Sequence, residues 1–266
     1  MPKQASKIGS ALLAGGLLFA LAPSVCSAVT PEAYRDIGVS VPLNAAVPPE
    51  VAVTDGRGYV RDLRTLISRP TVLVFADYTC TNLCGPVVAF VASALTRSGL
   101  AADQYRMIVV GLDPNDGAAA AGRMRHDYLG DDAALNKATT FAIADQATVR
   151  RLTAALGYRY AYDKDHDQFI HPAAAFVLGS DGRVVRVLTG LGLSGSDVRL
   201  ALVEASAGRI GSFSDRVRLI CSGFDPTQGV YNLVVSRLLA VTGIATVLTL
   251  GGLVGVLMLV SRRRTA

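Results

Sequence analysis

Tryptophan is absent from this sequence, and histidine, cysteine and charged residues are scarce. Three histidines, four cysteines and 18% charged residues stand against 51% hydrophobic residues in a chain of 266. A chain with this many hydrophobic residues is not expected to be disordered. It also lacks the regular glycine repeat of a collagen-like fold. No basic stripe alternates with aromatic residues, which argues against a nucleic-acid partner. The composition therefore predicts a globular domain, with an apolar run near each end of the chain.

The first apolar run has the form of a secretory signal. Lys3 and Lys7 precede apolar residues 11–22, and small residues follow. A basic start, a short apolar centre and a small-residue cleavage site are typical of an exported protein. We therefore predict a signal peptide over residues 1–28 that is removed by cleavage, with an uncleaved anchor as the alternative.

The second apolar run, residues 238–260, contains no charged residue over 23 positions. As a helix it would be about 34 Å long, enough to cross the hydrocarbon core of a membrane. Three arginines at 262–264 follow it, so the positive-inside rule predicts a cytoplasmic tail at 261–266. A buried core helix is the alternative. Together the two ends predict a single-pass cell-membrane protein whose soluble domain faces the periplasm or another extracytoplasmic space.

Between these ends, strand-like and helix-like segments alternate. Residues 71–76 and 105–112 are mainly apolar runs, which predicts strands buried on both faces. The other predicted strands lie at 140–144, 173–178 and 183–188, and the predicted helices at 80–95, 118–129, 146–156 and 196–207. This alternation predicts an α/β domain with a mixed central sheet and flanking helices. We assign it to residues 51–210, between an irregular lead-in at 29–50 and a linker at 211–237.

Three cysteines remain once the signal peptide, which contains Cys26, is removed: Cys80, Cys84 and Cys221. An odd number in an oxidising compartment indicates a reactive thiol or a metal site rather than a full set of structural disulfides. Cys221 lies in a turn-like context and is open to three interpretations: a fourth ligand, a resolving thiol or an inert buried side chain.

Cys80 and Cys84 follow the first buried strand and open a predicted helix. A helix N-terminus lowers the pKa of a thiol, and α/β folds hold their sites at the carboxyl ends of strands. Spacing of four residues brings both sulfurs to one face of the helix. The pair can therefore close a disulfide, either structural or redox-active, or hold one soft metal ion.

A third ligand for a metal would most commonly be histidine. His126 and His166 both lie among charged residues, which indicates solvated surface positions. His171 differs because it directly precedes Pro172 and a predicted strand. A lone histidine is usually structural, so spacing alone does not decide its role.

Three segments taken together resemble the Sco/SenC family of thioredoxin-like copper proteins. They are the strand and cysteine loop at 71–86, the strand ending in Asp-Pro at 109–114, and the His-Pro, strand and Asp-Gly hairpin at 171–186. The resemblance covers roughly residues 51–207 and extends through 221–231 to the longer members that carry a C-terminal membrane anchor. It implies a thioredoxin-like fold.

The resemblance further implies that Cys80, Cys84 and His171 bind one copper ion, as Cu(I) and also as Cu(II). Two thiolates and one imidazole suit the soft Cu(I) ion. The implied role is assembly or maintenance of the copper centre of cytochrome c oxidase. The expected partners are the copper-bearing subunit of that oxidase, and also other copper carriers or thiol–disulfide proteins.

The sequence departs from the family pattern at Thr81 and Gly85, where proline commonly follows each cysteine, and at Ile170, where an acidic residue commonly precedes the histidine. An alternative function is an extracytoplasmic thiol–disulfide oxidoreductase in which Cys80 attacks and Cys84 resolves. A scaffold for oxidase assembly or a redox sensor is a third interpretation, so enzymatic activity is left open. His171 separates the first two, because thiol exchange needs no histidine.

Overall fold

The computed structural model describes residues 36–80, 84–190, 192–207, 209–225, 230–233 and 235–264, so the predicted signal peptide lies outside the described residues. The strands are β1 (Gly38–Val39), β2 (Ala52–Asp55), β3 (Val60–Asp62), β4 (Thr71–Ala76), β5 (Arg106–Gly111), β6 (Thr139–Ile143), β7 (Tyr158–Arg159), β8 (Ala161–Asp163), β9 (Gln168–Ile170), β10 (Ala174–Leu178), β11 (Val184–Thr189), β12 (Ser222–Asp225) and β13 (Val230–Leu233). The helices are α1 (Leu63–Leu66), α2 (Cys84–Arg97), α3 (Ala118–Leu129), α4 (Ala133–Ala138), α5 (Gln146–Leu156), α6 (Gly195–Ala205), α7 (Phe213–Cys221) and α8 (Val235–Arg264).

A seven-stranded mixed sheet, in the order β11-β10-β4-β5-β6-β2-β3, organises the domain. β4, β5 and β6 run parallel, whereas β10 pairs antiparallel with β4. All six residues of β4 are buried because its alternate side chains enter two separate cores. Val72 and Val74 belong to one core, and Leu73 and Phe75 belong to the other. The continuous apolar run in the sequence reflects this burial on both faces.

Helices cover both faces of the sheet and complete a three-layer α/β domain. α2, α3 and α6 contribute apolar residues to the first core, whereas α1 and α5 contribute to the second. α2 and α6 approach closely, because a Cβ at Gly195 would lie 2.6 Å from the backbone carbonyl oxygen of Arg97. The predicted mixed sheet with flanking helices is therefore confirmed.

Most predicted boundaries agree with the structure because side-chain caps and a glycine fix them. α5 begins where Asp145 accepts a hydrogen bond from the backbone N–H of Thr148. It ends at Gly157, whose φ of 68° is left-handed and whose absent Cβ leaves room for the carbonyl oxygen of Ser40. α3 has the predicted bounds.

The lead-in and the region expected to be a linker carry more structure than the sequence indicated. Val47 and Val51 are buried in the second core, and β1 pairs with β7. Residues 211–237, which we expected to link the domain to the membrane, contain α7 and the antiparallel strands β12 and β13, and Cys221 ends α7. α8 covers the predicted span at 238–260. Considering only the described residues, no helix is both long enough and apolar enough to cross a membrane.

Candidate metal centre

Cys80 lies in a tight turn at the carboxyl end of β4. Asp77 follows the strand, and its buried carboxylate organises this turn. Its Oδ1 atom accepts hydrogen bonds from the backbone N–H groups of Thr79 at 3.0 Å and Cys80 at 3.1 Å. The turn is thereby held at the sheet edge where the sequence predicted a site.

Cys84 begins α2, whereas the sequence predicted that this helix starts at Cys80, which lies in the preceding turn instead. Residues 81–83 and the side chain of Cys84 lie outside the described part of the structure. Directly after it, Gly85 is packed so closely against α3 that a Cβ would lie 1.9 Å from Cζ of Tyr128. Any larger residue after the second cysteine, including the common proline, would therefore require the Tyr128 ring to move.

Strand β9 lies against the cysteine turn. The second carboxylate oxygen of Asp77, Oδ2, accepts the backbone N–H of Phe169 at 2.9 Å. In addition, Sγ of Cys80 lies 3.7 Å from Oε1 of Gln168. One buried carboxylate therefore joins the Cys80 turn to the segment that leads directly to His171.

His171 follows β9 and is held by Tyr158, the first residue of β7, and by Pro172, which precedes β10. Its Nδ1 atom lies 2.9 Å from the hydroxyl of Tyr158 and 3.2 Å from the carbonyl oxygen of Pro172. The Tyr158 hydroxyl donates to the same Pro172 carbonyl at 2.9 Å. A carbonyl only accepts, so we assign the proton of the neutral ring to Nδ1. Nε2 then keeps the lone pair that a metal ion requires.

Burial favours the neutral form of this imidazole. It lowers the pKa of His171, while the Pro172 carbonyl and the charge of Asp77 act in the opposite direction. Metal ions bind neutral imidazole, so a lowered pKa keeps the ligand form available near neutral pH.

A second buried carboxylate lies behind the turn. Asp116 accepts the backbone N–H of Tyr78 at 2.8 Å, and burial together with the charges of Asp77 and Asp113 raises its pKa to about 6. Asp116 does not cap the following helix α3, because Gly117 occupies the N-cap position. The Asp116 carboxylate instead accepts a hydrogen bond from the backbone N–H of Tyr78, which lies 38 residues earlier in the chain.

The other candidate residues lie elsewhere. His126 is exposed in the last turn of α3, and His166 pairs with Asp163 at 2.8 Å in the β8–β9 hairpin. Both therefore occupy the solvated positions that the sequence indicated. Among the described side chains, which exclude that of Cys84, no three His, Cys, Asp or Glu residues form a ready metal cluster.

Sequence reasoning missed three residues of this arrangement, namely Asp77, Tyr158 and Gln168. Asp77 left one signal, because it is an acidic residue placed directly between a buried strand and the cysteine pair. Tyr158 and Gln168 left no such signal in the sequence. Each contacts a site residue that is distant in the chain, Tyr158 with His171 and Gln168 with Cys80, and the residues around each of them do not indicate that contact.

The fold and this site define a thioredoxin-like protein with a cysteine turn and a histidine at one sheet edge. The SCO1/SenC family model matches residues 42–198, which is more than half of the chain. The protein therefore belongs to the SCO1/SenC family. None of the curated proteins compared with it is similar enough to count as a match.

Solved structures share the fold at low sequence identity. A protein of Aquifex aeolicus VF5 is 20% identical with a TM-score of 0.56, and the match covers 63% of this chain and 96% of that one. BsSco, a member of the Sco family of cytochrome c oxidase assembly proteins, is 20% identical with a TM-score of 0.52, covering 64% and 98%. Arabidopsis thaliana ScoI, solved with copper bound, is 12% identical with a TM-score of 0.51, covering 60% and 98%.

Proposed function

We propose that the protein is a membrane-anchored copper metallochaperone for the copper centre of cytochrome c oxidase. Cys80, Cys84 and His171 hold one copper ion as cargo. The observation that carries this proposal is the hydrogen bond that the backbone N–H of Phe169 donates to the Asp77 carboxylate. This bond joins the Cys80 turn to the strand preceding His171. Family membership supports the same function, because relatives include a copper-bound ScoI and a cytochrome c oxidase assembly protein.

The chemistry of the donors fits copper as cargo. Thiolates are soft ligands and imidazole suits copper, so this set favours Cu(I), whereas structural zinc sites use four protein ligands. Tyr158 supports the imidazole through Nδ1, and such outer hydrogen bonds orient a ligating histidine. The cysteine turn remains at the surface end of the sheet, which would let a partner reach the ion.

Membrane attachment through residues 238–260 is part of the proposal. The sequence supports it, because this run contains no charge and three arginines follow it. Along α8, described apolar side chains such as Ile244, Val247 and Leu248 are more than half exposed. Exposed apolar groups along a run of 23 uncharged residues are consistent with a membrane environment. A reporter fused after Ala266 should be active in the cytoplasm and one fused after residue 209 outside it, and an exported C-terminal reporter would contradict this topology.

A cellular assay tests the function. In cells whose own gene is deleted, Cys80→Ser, Cys84→Ser and His171→Ala should each lower cytochrome c oxidase activity and the copper content of the oxidase. The control is His126→Ala, which removes an exposed histidine that is not one of the proposed ligands. Normal oxidase copper in the His171→Ala cells would overturn the proposal.

A thiol–disulfide oxidoreductase is the second candidate, favoured by the position of Cys84 at the first residue of α2. In that case Cys80 and Cys84 cycle between dithiol and disulfide while a partner disulfide is reduced. Cysteine variants would then lose function, whereas His171→Ala would keep most of it. The histidine variant therefore distinguishes the two candidates.

A further inference from the structure

A cleft of about 600 Å³ lies at the sheet edge opposite the cysteine turn. Arg106 begins β5 and Thr139 begins β6, and both residues line the cleft, whereas Asp77 follows the end of β4. Because these three strands are parallel, their starts and their ends lie at opposite edges of the sheet. The cleft is therefore separate from the candidate metal centre.

Basic side chains dominate this cleft. Five cations line it, namely Arg57, Arg61, Arg106, Arg125 and Lys137. Asp55 is the single acidic residue among the described residues of the lining. Its carboxylate is already occupied, because Arg61 bonds to Oδ2 at 3.0 Å and the backbone N–H groups of Arg57 and Tyr59 bond to Oδ1. Four positive charges therefore face the cleft without a balancing carboxylate in its lining.

Arg125 is fixed in position before any ligand binds. It donates to the carbonyl oxygen of Thr139 at 3.1 Å, and its guanidinium lies 5.3 Å from the centre of the Phe141 ring. Burial and the charge of Arg57 lower its pKa, while the charge of Asp55 acts in the opposite direction. Arg57 and Arg125 therefore repel each other, and an anion placed between them would relieve that repulsion.

We propose that this cleft binds a small polyanion that carries phosphate groups. Guanidinium groups match phosphate oxygens in paired hydrogen bonds, and the volume lies within the range of small-molecule sites. The one aromatic ring in the lining, Phe141, is covered by Arg125, so it offers no stacking platform for a nucleic-acid base. This proposal is independent of the copper function.

Calorimetric titration of the full-length protein with inorganic pyrophosphate tests it, in a phosphate-free detergent buffer at low salt. Wild-type protein should bind one equivalent, and binding should weaken as salt is added. Arg57→Gln and Lys137→Gln should each weaken binding by about tenfold, since each removes one charge-assisted contact. Both side chains are exposed, so the variants should fold.

The matched control is Arg123→Gln, because Arg123 is exposed on the same helix as Arg125 but does not line the cleft. It should bind pyrophosphate like the wild type. Absence of saturable binding to wild-type protein, equal loss in the control, or equally tight binding of citrate would each overturn the proposal. Cu(I) binding should be unchanged in all three variants, which separates failure here from failure of the copper function.

Discussion

At the scale of single residues, Asp77 performs two tasks with its two oxygens. Oδ1 shapes the Cys80 turn and Oδ2 holds the backbone N–H of Phe169. In Asp77→Asn one oxygen can still accept from the turn, but an NH₂ group would then face the Phe169 N–H, and two donors cannot bond. We expect Cu(I) affinity to fall by about tenfold or more, as for other residues that orient ligands. Competition with a chromogenic Cu(I) chelator measures this.

Asp113→Asn is the control for that substitution. The Asp113 carboxylate accepts only from Asn115 among the hydrogen bonds of the described residues, so it serves its own loop. Its Cu(I) affinity should remain within about twofold of wild type. If Asp77→Asn also kept wild-type affinity, the link between the turn and β9 would not position the ligands.

Asp116 gives the fold a dependence on pH. Burial raises its pKa from 3.8 to about 6, so the folded state holds this proton more tightly than the unfolded state. Its contribution to stability is therefore complete below pH 3.8 and is lost as pH rises to about 6. Asp116→Asn should gain stability relative to wild type between pH 4 and 6.5, on the order of 1 kcal/mol. Urea denaturation of both proteins at pH 4 and pH 6.5 measures this gain. The same stability difference between variant and wild type at the two pH values would contradict the prediction.

The residues of the site were only partly predictable. Cys80 and Cys84 follow from their place between a strand and a helix, and the family resemblance nominates His171. Tyr158 could not be predicted, because its contact with His171 joins β7 to the loop before β10, two parts of the chain 13 residues apart. Side chains that position ligands through tertiary contacts leave no periodic or spacing signal.

At the scale of elements, an ion pair joins α7 to α6. Asp215 is almost fully buried, and both of its carboxylate oxygens bond to Arg199 of α6 at 2.8 Å. This pairing lowers the pKa of Asp215. Asp215→Asn should therefore lower the free energy of unfolding by about 2 kcal/mol at pH 7. The loss should shrink as pH falls below about 4, because the unfolded wild-type chain then binds a proton at Asp215 while the folded ion pair still resists protonation.

The exposed pair Arg183–Asp181 provides the comparison for this measurement. Asp181→Asn should change stability by less than about 1 kcal/mol, since exposed ion pairs contribute little. Equal effects of the two substitutions in urea denaturation would show that α7 is not attached to the domain through this pair.

Elements with strong periodicity or clear caps were predictable, and those that depend on distant partners were not. Strand β4 was predictable because its continuous apolar residues are buried on both faces. Helix α5 was predictable because Asp145 and Gly157 mark its two ends. Helix α3 also has the predicted bounds. The hairpin β8–β9 was missed, because its strands of three residues are too short for an alternating pattern. α7 was missed because residues 211–237 contain turn-forming pairs of residues. In addition, the partner that holds Asp215 is Arg199, which belongs to another helix, α6.

At the scale of the whole molecule, the parallel strands separate two chemistries. The carboxyl ends carry the thiol and imidazole groups, and the amino ends carry the basic cleft. α/β folds commonly place their sites at the carboxyl ends of strands, which agrees with the position of Cys80. The fold and family were predictable from the ordered motifs, whereas the cleft was not, because its five cations come from four separate segments of the chain.

The most direct test of the copper function is a Cu(I) competition titration of reduced protein, wild type against His171→Ala. The account predicts one equivalent of tightly bound Cu(I) in the wild type and at least about tenfold weaker binding in His171→Ala, because the soft thiolates alone lack the third ligand. The two cysteines of the variant should still form a disulfide on oxidation. Equal Cu(I) affinity in the two proteins would contradict the account.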